Sequence, residues 1–218
     1  MYGKLFVRSM IALLICFGLT SPAAAMLMGG DAVYDFGDAS GSYPTLVADN
    51  GARHQLGGIW LGSTVDADLD GQPHSSAAGD DLTGSDDEDG VVFLSPLSAG
   101  EWTPVAVTAS GSGFLDAWID FNADGDWEDA EEAIFVALQV TGGINNLAVW
   151  TPAAASPGDT YARFRISLAG NLTPSGAALN GEVEDYLITV APVPLPSSLL
   201  LLISGLAGII GVNRRKKS

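Results

Sequence analysis

Residues 161–168, YARFRISL, alternate strictly: Ala162, Phe164, Ile166 and Leu168 fall on one side, and Tyr161, Arg163, Arg165 and Ser167 on the other. A period of two marks a strand with one buried face and one wet face. No run of a dozen residues between the two chain ends offers the competing 3.6-residue period of a helix. Similar short runs cover Val91 to Leu94, Pro104 to Thr108, Phe114 to Phe121, Leu147 to Trp150 and Asp185 to Val190, with a weaker one at Ile134 to Val140. Gly, Asp, Asn, Ser and Pro fill the links, which suits tight turns. The expectation is an all-β fold: an antiparallel β-sandwich, jelly-roll-like, with long acidic Gly/Asp-rich loops and a loop-rich N-terminal third.

The 218-residue chain leaves room for one ordinary domain, expected at 26–192, plus processing segments at both ends. Residues 1–25 place Lys4 and Arg8 ahead of an apolar stretch from Met10 to Leu19 and then Ala23, Ala24 and Ala25. That is the build of a secretory signal peptide handled by the Sec machinery, with cleavage expected after Ala25. Cys16, the single cysteine, would leave with it, so the mature domain is expected to hold no thiol or disulfide.

At the other end, residues 195–212 run without a charge before Arg214, Arg215, Lys216 and Lys217. As a helix at about 1.5 Å per residue, this stretch reaches roughly 27 Å, close to the thickness of a hydrocarbon core. The basic tail would stay on the cytoplasmic side. Val193-Pro194-Leu195-Pro196, the Gly-punctuated apolar helix and the terminal basic cluster resemble the PEP-CTERM sorting signals of exosortase substrates, with Leu195 where that motif has Glu. The resemblance over 193–218 implies an exosortase-type processing enzyme as partner. It also implies a transient stay in the inner membrane, and a surface or extracellular destination.

All 26 acidic residues lie between Asp31 and Asp185, against Arg53, Arg163 and Arg165, which leaves that stretch at a formal −23. Charge of this size repels phosphate backbones, so nucleic acid is excluded as a partner. It also loosens a compact state unless cations relieve it, and divalent ions are the natural relief.

Two loops have the spacing for that. Asp120, Asn122 and Asp124 occupy alternate positions before Gly125, with Asp126 at the carbonyl position and Glu131 twelve positions into the run. Oxygens so spaced converge on one point in a turning loop, as a calcium ion with six to eight oxygen ligands requires. Asp66, Asp68 and Asp70 before Gly71 repeat the pattern; Ala77 stands at their twelfth position, so ligands would have to come from Asp80, Asp81 or the 86–89 run. Gly111 and Gly113 break any entering helix, so the loop at 120–131 is expected to follow a strand, with an exit helix at 129–138 left open. The alternative reading is an acidic turn pinned by its own Asp side chains.

In GEVEDY, residues 181–186, three carboxylates fall within four positions, and an antiparallel hairpin would set Arg163 and Arg165 opposite them. Ion pairing or a share in a cation site is the expectation there. With DFGDA at 35–39, ADNGARH at 48–54, LGSTVDADLDGQP at 61–73, DDEDGV at 86–91 and AWIDFNADGDW at 117–127, the motif resembles the GEVED domain family of bacterial surface and secreted proteins. The resemblance implies a β-rich extracellular module without an established reaction.

Nucleophilic hydrolysis needs a Ser or Cys oriented by His and an acid, and only His54 and His74 are present. His54 is expected to be a hydrogen-bonded loop residue. Of Trp60, Trp102, Trp118, Trp127 and Trp150, Trp127 is expected to offer an exposed platform from its acidic loop. The expected function is a non-catalytic, calcium-stabilised surface or matrix module that binds exopolysaccharide or envelope components. A matrix protein without a discrete ligand is the alternative, and a polysaccharide-acting enzyme the third.

Overall fold

All seven alternating runs form strands. The computed structural model describes residues 33–79 and 87–192 together with Leu201. The expected signal peptide at 1–25 and, Leu201 aside, the expected sorting segment at 193–218 lie outside the described residues, as do Asp80, Asp81 and Asp86. In chain order the strands are β1 (Tyr34–Phe36), β2 (Arg53–Gln55), β3 (Val91–Phe93), β4 (Leu97–Ser98), β5 (Trp102–Ala109) and β6 (Gly113–Ile119). There follow β7 (Ala133–Val140), β8 (Gly143–Trp150), β9 (Gly158–Ser167), β10 (Ala177–Ala178) and β11 (Glu182–Ala191). Among the described residues no helix is long and apolar enough to cross a membrane.

The strands form a five-stranded sheet in the order β4-β11-β9-β6-β7, a three-stranded sheet β3-β5-β8 and a small sheet β1-β2-β10. Pairing is antiparallel except where the two-residue strands β4 and β10 run parallel to β11 and β2. Val105 and Val107 of β5 and Val149 of β8 share one buried cluster with Leu115 and Ile119 of β6 and Phe164 and Ile166 of β9. The two larger sheets are therefore the layers of a sandwich-like core. Each such side chain, removed from water, contributes roughly 1.5–3 kcal/mol to holding them together.

The sequence expectation fails on the outer face of β9. Arg163, Arg165 and Ser167, read as wet, are all buried, whereas Leu168, read as core, is 51% exposed just past the strand's end. The N-terminal third supplies the reason: it folds back over the five-stranded sheet. Backbone carbonyls of Pro44 and Arg53, and the ring of His54 in β2, meet the two guanidinium groups there. A two-faced strand in a three-layered arrangement has no wet side, and alternation then separates apolar burial from polar burial.

Candidate functional site

The β9–β11 ladder sets Arg163 opposite Asp185 and Phe164 opposite Glu184. Because side chains alternate, these pairs lie on opposite faces. On the outer face, Arg163 grips Asp185 in a fork, Nε to Oδ1 and Nη2 to Oδ2, both at 2.7 Å, with neither side chain exposed. Its remaining nitrogen Nη1 donates to the carbonyls of Pro44 and Pro174, and its guanidinium carbon stands 4.5 Å from the centre of the Trp127 ring. Gly37 lets the N-terminal strand approach: a Cβ there would lie 2.5 Å from Asp185 Oδ2. The Ala39 amide also donates to that oxygen. The DFGDA motif is thus a backbone laid against an ion pair.

Arg165 follows another pattern. Its cross-strand neighbour is Val183, and it donates to His54 Nε2 and to the carbonyls of Arg53, Thr173, Ser175 and Gly176. His54 must present a bare Nε2, so its Nδ1 carries the proton and donates to the Asn180 carbonyl at 2.7 Å. Burial, and then the positive charge of Arg165, push the His54 pKa well down and hold the ring neutral. Burial also lowers Arg165 to about 9, with Arg163 adding to the effect. Of the two arginines expected to pair with the acidic motif, one does; the other binds carbonyls and a histidine.

The loop after β6 is knotted by its first aspartate. Asp120 is fully buried: Oδ1 accepts the amides of Ala123 (2.6 Å) and Asp124 (3.3 Å), and Oδ2 accepts the Gly125 amide (3.0 Å) and the Tyr43 hydroxyl (2.6 Å). Asn122 donates to Asp124 and Asp129, while Asp124 and Asp126 accept the amides of Asp126 and Glu128. Glu131 is exposed and has a left-handed backbone, φ 74°. Its neighbour Glu132 turns inward instead, accepting the amides of Phe121 and Asp129. Burial pushes Glu132 up to about 7, with Asp120 adding to the rise. Phe121, Asn122, Asp129, Glu131 and Glu132 line a cavity of about 250 Å³. The residues after the loop enter β7 at Ala133, so the exit helix considered for 129–138 is a turn and a strand.

In the earlier loop, Asp68 accepts the Phe36 amide and the Gln72 side chain, and Asp70 accepts the amides of Val47 and Gly71. Burial raises the Asp68 pKa. Asp66, Asp68 and Asp70 line one cavity of about 410 Å³. Both loops thus offer hard oxygen donors of the type calcium takes. Among the described residues, however, no three acidic, His or Cys side chains stand as a metal-holding group. Backbone amides and hydroxyls take up many of these oxygens.

The tryptophans also sort differently from expectation. Trp127 is 3% exposed, donates to the Tyr161 carbonyl and stacks 4.2 Å from Tyr43; it is a packing residue, because the loop bends it under Arg163. Trp118 is buried and Trp60 half-buried. Trp102 and Trp150, paired across β5 and β8, are 64% and 41% exposed, with ring centres 5.5 Å apart. Their outward face was open to inference from alternation, since Thr103 and Val149 beside them are buried.

Neither a curated protein nor a solved structure gives a match to the chain. The family model for the GEVED domain matches residues 114–189, from the second residue of β6 to near the end of β11. That stretch holds Arg163, Arg165, the 120–132 loop and the whole acidic motif, whereas the DFGDA, ADNGARH, 61–73 and 86–91 motifs precede it. Over residues 114–189 the chain is therefore similar to the GEVED domain.

Proposed function

We propose that the chain is an exported, non-catalytic surface or matrix module that binds polysaccharide, stabilised by calcium at its acidic loops. The observation that carries the recognition reading is the exposed Trp102–Trp150 pair on the outer face of the three-stranded sheet. Indole faces stack on the C–H faces of sugar rings, and this pair, held on adjacent strands with ring planes 54° apart, offers two such faces to a sugar chain. The formal −23 of the surrounding chain favours neutral or cationic glycans over anionic ones. Calcium would be held at 120–131 through the side chains of Asn122, Asp124, Asp126 and Glu131, with Asp120 bracing the turn, and at 66–70 through Asp66, Asp68 and Asp70.

Export through a signal peptide at 1–25, followed by processing of the 193–218 segment by an exosortase-type enzyme, completes this reading. A glycan array with and without calcium tests recognition. Retention of neutral glycans that is lost in Trp102→Ala and Trp150→Ala, with unchanged folding, is the expected result. Absence of any retained glycan would leave the second reading, a matrix protein without a discrete ligand, which the rigid Arg163–Asp185 anchoring of the N-terminal third favours. Mass spectrometry of the secreted protein tests the processing, and a C-terminus still at Ser218 overturns it.

A further inference from the structure

Glu182 and Glu184 leave β11 on its core side, two positions apart, and reach under two loops that touch. Glu182 Oε2 accepts the Leu61 amide, and Glu184 Oε1 accepts the Gly90 amide at 2.9 Å. Gly90 makes the contact possible: a Cβ there would lie 2.6 Å from both the Gly62 nitrogen and the Leu61 side chain. Asp87 and Asp89 ride on the second loop and accept the amides of Asp66 and Ser63, both at 2.8 Å. Asp35 arrives from β1 and accepts the Val183 amide at 2.7 Å.

Asp35, Asp87, Glu182 and Glu184 are all buried. The second oxygen of Glu182, Oε1, has no hydrogen-bond partner although the residue is only 1% exposed. The charge of Arg165 reaches Asp35, but neither buried arginine donates to Glu182 or Glu184. Arg165 uses all five N–H groups on His54 and carbonyls, and Arg163 is engaged by Asp185 and two carbonyls on the opposite face. A buried carboxylate oxygen without a donor is costly, and several together in low dielectric cannot all stay ionised without a counter-ion.

We propose that Asp87, Glu182 and Glu184, with Glu182 Oε1 as the open ligand, form a binding site for a hard divalent cation of the calcium type. Asp35 and Asp89 stand at its margin. Asp87, Glu182 and Glu184 do not yet stand as a metal-holding group, so the ion would have to draw their oxygens together, and in doing so would clamp the 61–66 and 87–90 loops onto the start of β11. Carboxylate-only donors at a site reached by two loops suit calcium, which tolerates irregular geometry, better than magnesium. The site is separate from the 120–131 loop and would stand if that loop held no ion.

Calorimetric titration and melting of the full chain with calcium test the proposal, using Glu182→Gln/Glu184→Gln beside Asp124→Asn/Asp126→Asn. The wild type is expected to gain several degrees in Tm with millimolar calcium. The glutamate variant should lose one bound equivalent, or about tenfold or more in affinity, and the loop variant should keep that equivalent. Terbium luminescence gives a second readout, because the Tyr186 hydroxyl donates to Glu184 Oε2 at 3.0 Å. Tyr186→Phe should lower the sensitised emission of a terbium ion bound there. Calcium stoichiometry unchanged in the folded glutamate variant overturns the site, as does a wild type whose Tm ignores both calcium and chelator. Should the glutamate variant not fold, unchanged terbium emission in Tyr186→Phe overturns it.

Discussion

The two faces of the β9–β11 ladder carry charge in opposite ways. On the outer face Arg163 cancels Asp185 in a fork, and Arg165 is met by carbonyls and a neutral His54. On the inner face Glu182 and Glu184 stand near Asp35, Asp87 and Asp89, with amides and the hydroxyls of Tyr186 and Ser63 as donors and no cationic side chain among those donors. Both faces are buried, so burial alone does not decide what a polar group costs; the partner does. The outer face is complete within the protein and can serve as an anchor for the N-terminal third. On the inner face Glu182 Oε1 has no hydrogen-bond partner, and the proton or ion proposed to complete it would make this the responsive half of the same ladder.

Breaking the outer face is expected to have the largest effect. Arg163→Gln leaves Asp185 buried without its counter-charge and strips the Pro44 and Pro174 carbonyls of their donor, so a loss of about 3–5 kcal/mol is expected in urea unfolding. Asp185→Asn, which leaves the arginine unpaired, should cost a similar amount. If either costs under about 1 kcal/mol, the fork is not what anchors the N-terminal third. His54→Leu should come next, at about 1–3 kcal/mol, because Arg165 Nε and the Asn180 carbonyl both lose a partner.

The same histidine gives the outer face its pH dependence. Burial first, and then the charges of Arg165 and Arg163, hold the folded pKa of His54 well below its ordinary value near 6.5. A depressed pKa contributes stability that is fully present above the unfolded value and is lost as pH falls below it. Melting curves of the wild type should therefore weaken below about pH 6.5, and His54→Leu should lose that acid dependence along with its stability. Parallel profiles for the two proteins would assign the acid limb to other groups.

Much of the sandwich could be read in the sequence because its strands alternate over seven to ten residues; β5, β6, β9 and β11 each announce themselves by period. Strands β1, β2, β4 and β10 could not be, since two or three residues hold no period, and their pairing is decided by what lies beneath them. The same limit hid the arginine anchor: alternation tells which residues share a face, and takes a face of Arg and Ser to be wet. The one signal available was scarcity, since two of only three arginines in so acidic a stretch sit on one strand. At the acidic loop, spacing picked Glu131 as the bidentate ligand; the backbone turns left-handed there, and spacing gave no sign that the neighbouring Glu132 is the one buried. In GEVEDY the count of carboxylates was plain, but only the register divides them, Asp185 to the anchor and the two glutamates to the core side.

The smallest expected effect tests the inner face and carries the opposite sign. Burial first, then the neighbouring carboxylates Glu184, Asp35 and Asp87, push Glu182 up to about 11. Burial, with Asp89 and Asp87, pushes Glu184 up to about 8, while the Tyr186 hydroxyl and the Gly90 amide pull it back. An acid whose folded pKa is raised contributes stability that is full below its unfolded value near 4.3 and is lost as pH rises through the folded value. In chelator, then, the wild type should lose stability between pH 5 and 9. Glu184→Gln, isosteric and always neutral, should be on the order of 1 kcal/mol more stable than the wild type at pH 9 and slightly less stable at pH 5, where the Tyr186 contact is made by a proton-bearing acid. Calcium should reverse the wild-type slope, because the ion competes with protons for the same oxygens and wins as pH rises. If the slope in chelator is flat, Glu182 and Glu184 are not the groups that titrate. The inner face would then be as self-contained as the outer one, and the contrast between the two faces would fall with it.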